Sequence, residues 1–310
     1  MKPVIKSETR LAVIDLGSNT FHLLIANVNH LPPHFKELYR ERAYIYISRQ
    51  GLDCIPEEKI ELACATLNAF KQKAEELDCE RVKAIGTAAM RTASNAHRIV
   101  DYARDQLSLE IELISGKREA ELIFKGTQCL NYNAHGPSMI MDIGGGSVEF
   151  ILQEKSKIIY AASHDIGISA IRKDFAFSEP VKKQEMEDFY NHLDSLLNEL
   201  NVNIAALSPE SLIGSSGPFE ILESMSGDLP SANANIYRSS DCRQMVSRVL
   251  TEDRQGREKL ANMPPHRADM SKEAFILINY FLRKWPCFER IVVSPYAIKE
   301  GVLLEMIQGD

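Results

Sequence analysis

The apolar positions of this chain fall into blocks, some spaced at the two-residue period of strands and others at the helical period. Leu11 to Val28 runs apolar, breaks at the polar turn Asp15-Leu16-Gly17-Ser18-Asn19-Thr20, and turns apolar again. Two buried strands joined by a tight turn are predicted there. A third strand is predicted around Tyr44 to Ile47. From Pro56 to Leu77, Ile60, Leu62, Ala63, Leu67, Phe70, Ala74 and Leu77 recur at helical spacing, with Pro56 and Glu57 as start signals. RVKAIG reads as a short strand that turns at Gly86 and Thr87. A helix from about Ser94 to Leu107, a strand at IELIS and a helix over Gly116 to Cys129 complete the first half.

Around Tyr132 to Pro137 the chain becomes polar and turn-rich, which marks a domain boundary. Directly after it, SMIMDIGGGSVEFILQ repeats the opening plan: apolar strand, acidic residue, small residues with a hydroxyl, apolar strand. Further strands are predicted near Ile158 to Ala162 and at SLIGSSG. Helices are predicted over Lys182 to Leu200, Ser240 to Leu250 and Ser271 to Leu282. The strand ERIVVS and a helix from about Ala297 to Ile307 end the chain. An echo one domain length away points to duplicated folds facing each other across a cleft. The expected division is residues 1–131 and 132–296, with the final helix (297–310) packing back on the first domain.

Composition narrows the partners. The chain has 310 residues, 45% hydrophobic and 25% charged, with a net charge of -7. That is an ordinary globular balance with no basic block, so a nucleic-acid polymer is not the expected partner. An anionic ligand must therefore be held by backbone N–H groups, a few basic side chains and a metal. The six cysteines are scattered without a C-x-x-C pair and read as reduced, mostly packed thiols. The N-terminus has no signal-peptide core, and no apolar run approaches the ~20 residues of a membrane span. A cytoplasmic location is the expectation.

The two turns carry the candidate chemistry. DLGSNT and DIGGGS each set a carboxylate, Asp15 or Asp142, at a strand end and follow it with residues too small to shield the backbone. Glycine permits close approach and unusual dihedrals. The exposed amides of Gly17, Gly144, Gly145 and Gly146, with Ser18, Asn19, Thr20 and Ser147 as further donors, suit phosphate oxygens. A carboxylate beside a phosphate implies a cation such as Mg²⁺ between them. No Gly-Lys-Ser/Thr follows, so the turn is not a P-loop, and DIGGGS leads into a strand, unlike a Rossmann fingerprint. No paired histidines and no G-x-S-x-G frame occur, so direct attack by water is expected.

These turns resemble the phosphate-binding loops of the actin, sugar-kinase and chaperone-ATPase superfold. LAVIDLGSNTFHLLIA, AIGTAAMRTASN, IELISGKREAELIFKG and MIMDIGGGSVEF resemble, in order, the motifs of the exopolyphosphatase/guanosine pentaphosphatase family, and IGSSG, PPHRADM and SPYAIKEGVL extend the likeness. The resemblance implies an α/β fold: two duplicated ribonuclease H-like domains with mixed sheets, flanked by helices around an interdomain cleft. It implies Glu119 as the catalytic glutamate that orients or deprotonates water, Arg91 as the phosphate arginine, and Asp142 and Glu149 as acids near the metal and water. Asp15 takes the symmetric place in the first loop, giving Asp15, Asp142 and Glu149 as the metal set for Mg²⁺ or Mn²⁺. Gly214, Ser215, Ser216 and Gly217 match a third loop, in which Pro218 stands where a threonine is usual. Arg267 and Asp269 match further positions. A homodimer is also implied.

Without the resemblance, simpler readings compete. Glu119 would be a solvated first-turn acid and Arg91 a surface arginine at a helix end. Arg267 and Asp269 would form a structural ion pair, and His22 would be a hydrogen-bonded core histidine. The leading function is hydrolysis of the terminal phosphoanhydride of inorganic polyphosphate. The same chemistry on guanosine pentaphosphate, or tetraphosphate, is the close alternative. A kinase on the same superfold and a non-catalytic phosphate or alarmone sensor are the readings from other classes.

Overall fold

A computed structural model describes residues 9–28, 34–49, 51–130, 132, 136–227, 235–264 and 267–309. Residues 1–8, most of the turn-rich stretch at the expected boundary, and Pro265 and His266 of PPHRADM lie outside these described residues. The chain divides into two compact units, Met1–Cys129 with Ile298–Asp310, and Leu130–Ala297.

In the first unit β1 (Arg10–Leu16) and β2 (Thr20–Val28) form an antiparallel hairpin, and β3 (Phe35–Tyr44) pairs with β2. Then come α1 (Glu57–Glu76), β4 (Arg81–Gly86), α2 (Ala88–Thr92) and α3 (His97–Leu107). β5 (Ile111–Leu113) and α4 (Gly116–Thr127) follow. The sheet order is β3-β2-β1-β4-β5, antiparallel on one side of β1 and parallel on the other. The third strand thus ends where the sequence reading began it. Half of its residues, FKELYRERAY, are charged, as suits an edge strand with one partner, and they mask the strand signal.

In the second unit β6 (Ser138–Ile143), β7 (Val148–Glu154) and β8 (Lys157–His164) form a meander. α5 (Ile168–Asp174), α6 (Lys183–Leu196) and α7 (Asn198–Leu207) follow. The single helix expected over Lys182 to Leu200 is therefore two, broken at Leu197, where φ is -100° and ψ 23°. Next come β9 (Ser211–Ser215), α8 (Gly217–Ser226), β10 (Asn235–Arg238) and α9 (Ser239–Thr251). α10 (Arg254–Glu258), α11 (Ala268–Lys284) and β11 (Arg290–Val293) end the unit. The order β10-β11-β9-β6-β7-β8, taken from the β8 edge, repeats the first sheet, a three-strand meander and then two parallel strands, and adds β10 antiparallel at the far edge. Both sheets are mixed and flanked by helices, as the resemblance implies.

The last helix, α12 (Ile298–Gln308), belongs to the first unit and packs on β1 and α4. Ala12, Ile14 and Leu16 of β1 share a core cluster with Ile60, Leu67 and Phe70 of α1. Side chains alternate along a strand, so Leu11, Val13 and Asp15 face the other way, toward the α12 and α4 layer. Salt bridges fasten α12 at its ends: Glu300 to Arg40 at 2.7 Å, and Glu305 to Lys125 at 3.3 Å and to Arg118.

The cysteines are all free, and burial pushes the thiols of Cys129 and Cys242 up to about 12. Cys54 is exposed and the other five are buried or half-buried. Among the described residues no helix is long and apolar enough to cross a membrane.

Candidate functional site

The first-unit turn closes with Gly17 N–H donating to Thr20 O at 3.1 Å, and a Cβ on Gly17 would lie 2.8 Å from that oxygen. In the second unit Gly144 N–H donates to Ser147 O at 2.9 Å, and a Cβ there would meet the same atom at 3.0 Å. The positive-φ glycines of the described residues are Gly51, Gly227 and Gly309, none of them in these turns. The expectation of unusual glycine dihedrals is therefore corrected: close backbone approach is what excludes a side chain here.

The turn carbonyls are held from neighbouring segments. Ser48 N–H donates to Ser18 O at 3.2 Å, while Ile45 and Tyr46 N–H both donate to Asn19 O, at 3.0 and 2.9 Å. Ser18 Oγ accepts from Ala89 N–H at 3.1 Å and so ties the turn to the start of α2. Asn19 Oδ1 accepts from Ser48 Oγ at 3.2 Å. Thr20 Oγ1 lies 2.9 Å from Nε2 of His22, which is half-buried and hydrogen-bonded much as its sequence context suggests.

Glu119 and Arg91 meet within the first unit. Ser115 caps α4 by accepting the Arg118 N–H on its Oγ at 3.2 Å, which sets Glu119 at the end of the first turn. Glu119 is only 7% exposed, so it is not a solvated helix-start acid. Arg91 Nη1 donates to Glu119 Oε2 at 3.3 Å and to Ile114 O at 2.8 Å. A fork of donors thus stands against a buried carboxylate. Arg118, next to Glu119 in sequence, is ion-paired to Glu305.

In the second unit a row of polar side chains crosses four strands in register. Asp142 and Glu149 are directly opposed on β6 and β7, Ser215 of β9 lies beside Asp142, and Ser163 of β8 beside Glu149. Directly paired residues share a sheet face, so the two carboxylates stand side by side. Ser215 Oγ donates to Asp142 Oδ2 at 2.8 Å, and Ser163 Oγ to Glu149 Oε1 at 2.7 Å. All but Ser163 are buried. The corresponding row in the first unit is Ile85, Asp15, His22 and Arg42, so the carboxylate pair is confined to the second unit. A hydrogen bond to a charged group contributes about 1.5–3 kcal/mol. Ser215→Ala is accordingly expected to lower stability by about 1.5 kcal/mol in urea unfolding; an unchanged midpoint would remove Ser215 as the Asp142 anchor.

The third loop is strained and strapped. Ser216 has φ 76° and ψ 175°, a region that favours glycine. Its Oγ both accepts from Ile143 N–H and donates to Ile143 O, each at 3.1 Å, which holds β9 to the end of β6. Gly217 O accepts from Arg267, whose guanidinium also pairs with Glu220. Asp269 pairs instead with Arg172 at 3.1 Å and Arg254 at 3.5 Å, so Arg267 and Asp269 are both ion-paired, but not to each other. Pro218 falls in the first turn of α8, where a missing N–H costs the helix nothing.

Two braces escaped the sequence reading. Ser163 lies in an unremarkable strand end. Gly167, by contrast, could be flagged by its glycine alone: a Cβ there would come within 2.4 Å of Gly146 C.

The profile of the Ppx/GppA phosphatase family matches residues 32–309. Exopolyphosphatase 2 of Mycobacterium tuberculosis is 27% identical over 316 residues, covering 96% of this chain and 98% of that protein. A guanosine-5'-triphosphate,3'-diphosphate pyrophosphatase of Vibrio vulnificus is 26% identical over 300 residues, covering 96% of this chain and 59% of that longer protein. Among solved structures, an exopolyphosphatase from Cytophaga hutchinsonii superposes with a TM-score of 0.89 at 32% identity, covering 97% of this chain and 98% of that one.

Proposed function

This chain belongs to the Ppx/GppA phosphatase family, and on that premise we propose that it is an exopolyphosphatase, releasing orthophosphate from the end of inorganic polyphosphate. The observation that carries the substrate is the likeness to the Cytophaga hutchinsonii exopolyphosphatase, at 32% identity over nearly all of both chains. The glycine turn beside two buried carboxylates supports the chemistry.

The donor set fits a hard divalent cation. Asp142 and Glu149 each have one oxygen steadied by a serine. Among the described residues no three His, Cys, Asp or Glu side chains gather into a complete cage. Mg²⁺ suits such a site, since it binds through one or two carboxylates and keeps waters and phosphate oxygens. Asp142 and Glu149, side by side on β6 and β7, would hold it. The bound cation supplies charge neutralisation on the phosphate oxygens.

Hydrolysis then needs an acceptor for the proton of the attacking water, and Glu119 fills that role. Arg91 orients Glu119 and offers its remaining N–H groups to the phosphate. The turn amides, with Ser147 and the Gly214–Gly217 loop, take the oxygens on which charge develops. With no G-x-S-x-G nucleophile frame in the sequence, water attacks directly.

Phosphate release measured on long-chain polyphosphate and on guanosine pentaphosphate tests this reading. Robust release from polyphosphate with Mg²⁺, abolished by EDTA and restored by added metal, is the expected result. Release from guanosine pentaphosphate alone would replace it with the second reading, which the Vibrio vulnificus relative favours. Binding without turnover of either would make the protein a sensor.

A further inference from the structure

The start of α5 grips the glycine turn of the second unit. Gly167 N–H donates to Gly146 O at 3.1 Å, Ile168 N–H to Gly144 O at 3.1 Å, and Ser169 N–H to Gly145 O at 2.8 Å. Three successive carbonyls of the turn are thus held by three successive amides of one helix start. In a trans peptide the C=O and the following N–H point in opposite directions. Holding the carbonyls of residues 144, 145 and 146 therefore turns the amides of Gly145, Gly146 and Ser147 away from α5. Those three amides make no backbone hydrogen bond of their own among the described residues.

We propose that the α5 start is a positioning device for anion binding: it presets the N–H groups of Gly145, Gly146 and Ser147 as a nest for phosphate oxygens, and Gly167 and Ile168 are positioning residues. The inference rests on the phosphate-binding reading of this turn and names what aims it. A run of amides held in one orientation binds an anion without the cost of ordering the turn each time. It also explains Gly167, whose backbone lies so close to Gly145 and Gly146 that a Cβ would fall 2.4–2.6 Å from their atoms. The α5 amides themselves are spent on carbonyls and contribute no anion site.

Ile168 offers a clean test. It is the first residue of α5, where proline is well tolerated, and Gly167 before it has φ -65° and ψ 170°, the extended conformation a following proline demands. Ile168→Pro replaces the N–H that holds Gly144 O at 3.1 Å with the ring Cδ, which must push that carbonyl away, whereas Ile168→Ala loses the buried side chain but keeps the N–H. Both are compared with the full-length parent at matched Mg²⁺, using inorganic tripolyphosphate titrated calorimetrically and thermal melting as the fold control. Both melting temperatures should fall, that of Ile168→Pro the further. The dissociation constant for tripolyphosphate should be about fivefold or more higher in Ile168→Pro than in Ile168→Ala, the effect of one hydrogen bond.

Equal affinities in the two variants overturn the proposal and leave the hydrolase reading intact. The expected difference in a parent that binds but does not hydrolyse upholds the proposal and removes the hydrolase reading. A parent that does not bind tripolyphosphate overturns both. Should Ile168→Pro not fold, Gly167→Ala is measured against the parent, with weaker tripolyphosphate binding expected and unchanged binding decisive against the brace.

Discussion

Glu119→Gln is expected to lower kcat for phosphate release by about 10²–10⁴-fold, the usual contribution of a positioned general base. Glutamine has the same size, and its amide oxygen can still accept from Arg91 Nη1, so the buried pair is not left with a lone cation. What disappears is the acceptor for the proton of the attacking water. KM should change little, since the proposed phosphate contacts lie in the turns. Circular dichroism and melting should match the parent. Steady-state phosphate release decides the matter, and a kcat within threefold of the parent would remove Glu119 from the chemistry.

Gly301→Ala is expected to destabilise the first unit by about 3 kcal/mol, seen as a fall in Tm of about 6–12 °C. A Cβ on Gly301 would lie 1.9 Å from Leu122 O and 2.7 Å from Leu122 C, inside the backbone of α4. Backbone cannot rotate away as a side chain can, so α12 and α4 must separate. The salt bridges of Glu305 to Arg118 and Lys125 of α4 resist that separation. Alanine is the better helix former by about 1 kcal/mol, which opposes the loss but does not cancel it. Since α4 also carries Glu119 in its first turn, kcat should fall with the Tm. A melting temperature equal to or above that of the parent would show that the helices can accommodate the methyl.

The two hairpins were legible from local pattern. LAVIDLGSNTFHLLIA and MIMDIGGGSVEFIL are buried nearly throughout, so their apolar runs carry the signal without help from distant residues. β3 was misplaced because an edge strand needs only one apolar face, and its charges hide even that. At Gly17 and Gly144 contact with Thr20 O and Ser147 O, and not a left-handed dihedral, excludes a side chain.

Glu119 shows where local reading stops. As one acid in a first helical turn it is indistinguishable from a solvated one, and only the family likeness singled it out. Its burial and its contact with Arg91, 28 residues away in sequence, come from the packing of α2 against the start of α4. Ser163, Gly167 and the Ile45–Ser48 segment behind the first turn carry no motif of their own.

What the sequence determined by itself was periodicity and punctuation: which segments are strands and helices, that one plan occurs twice, and that small residues follow Asp15 and Asp142. These are properties of neighbouring residues, encoded by side-chain alternation and by glycine. Only the tertiary structure decided that Asp142 and Glu149 stand side by side with a serine on each, and that α5 holds the carbonyls of the second turn. Such placements depend on strand register and on backbone hydrogen bonds between remote segments. Every non-proline residue has the same amide and carbonyl, so the sequence does not record which of them will meet.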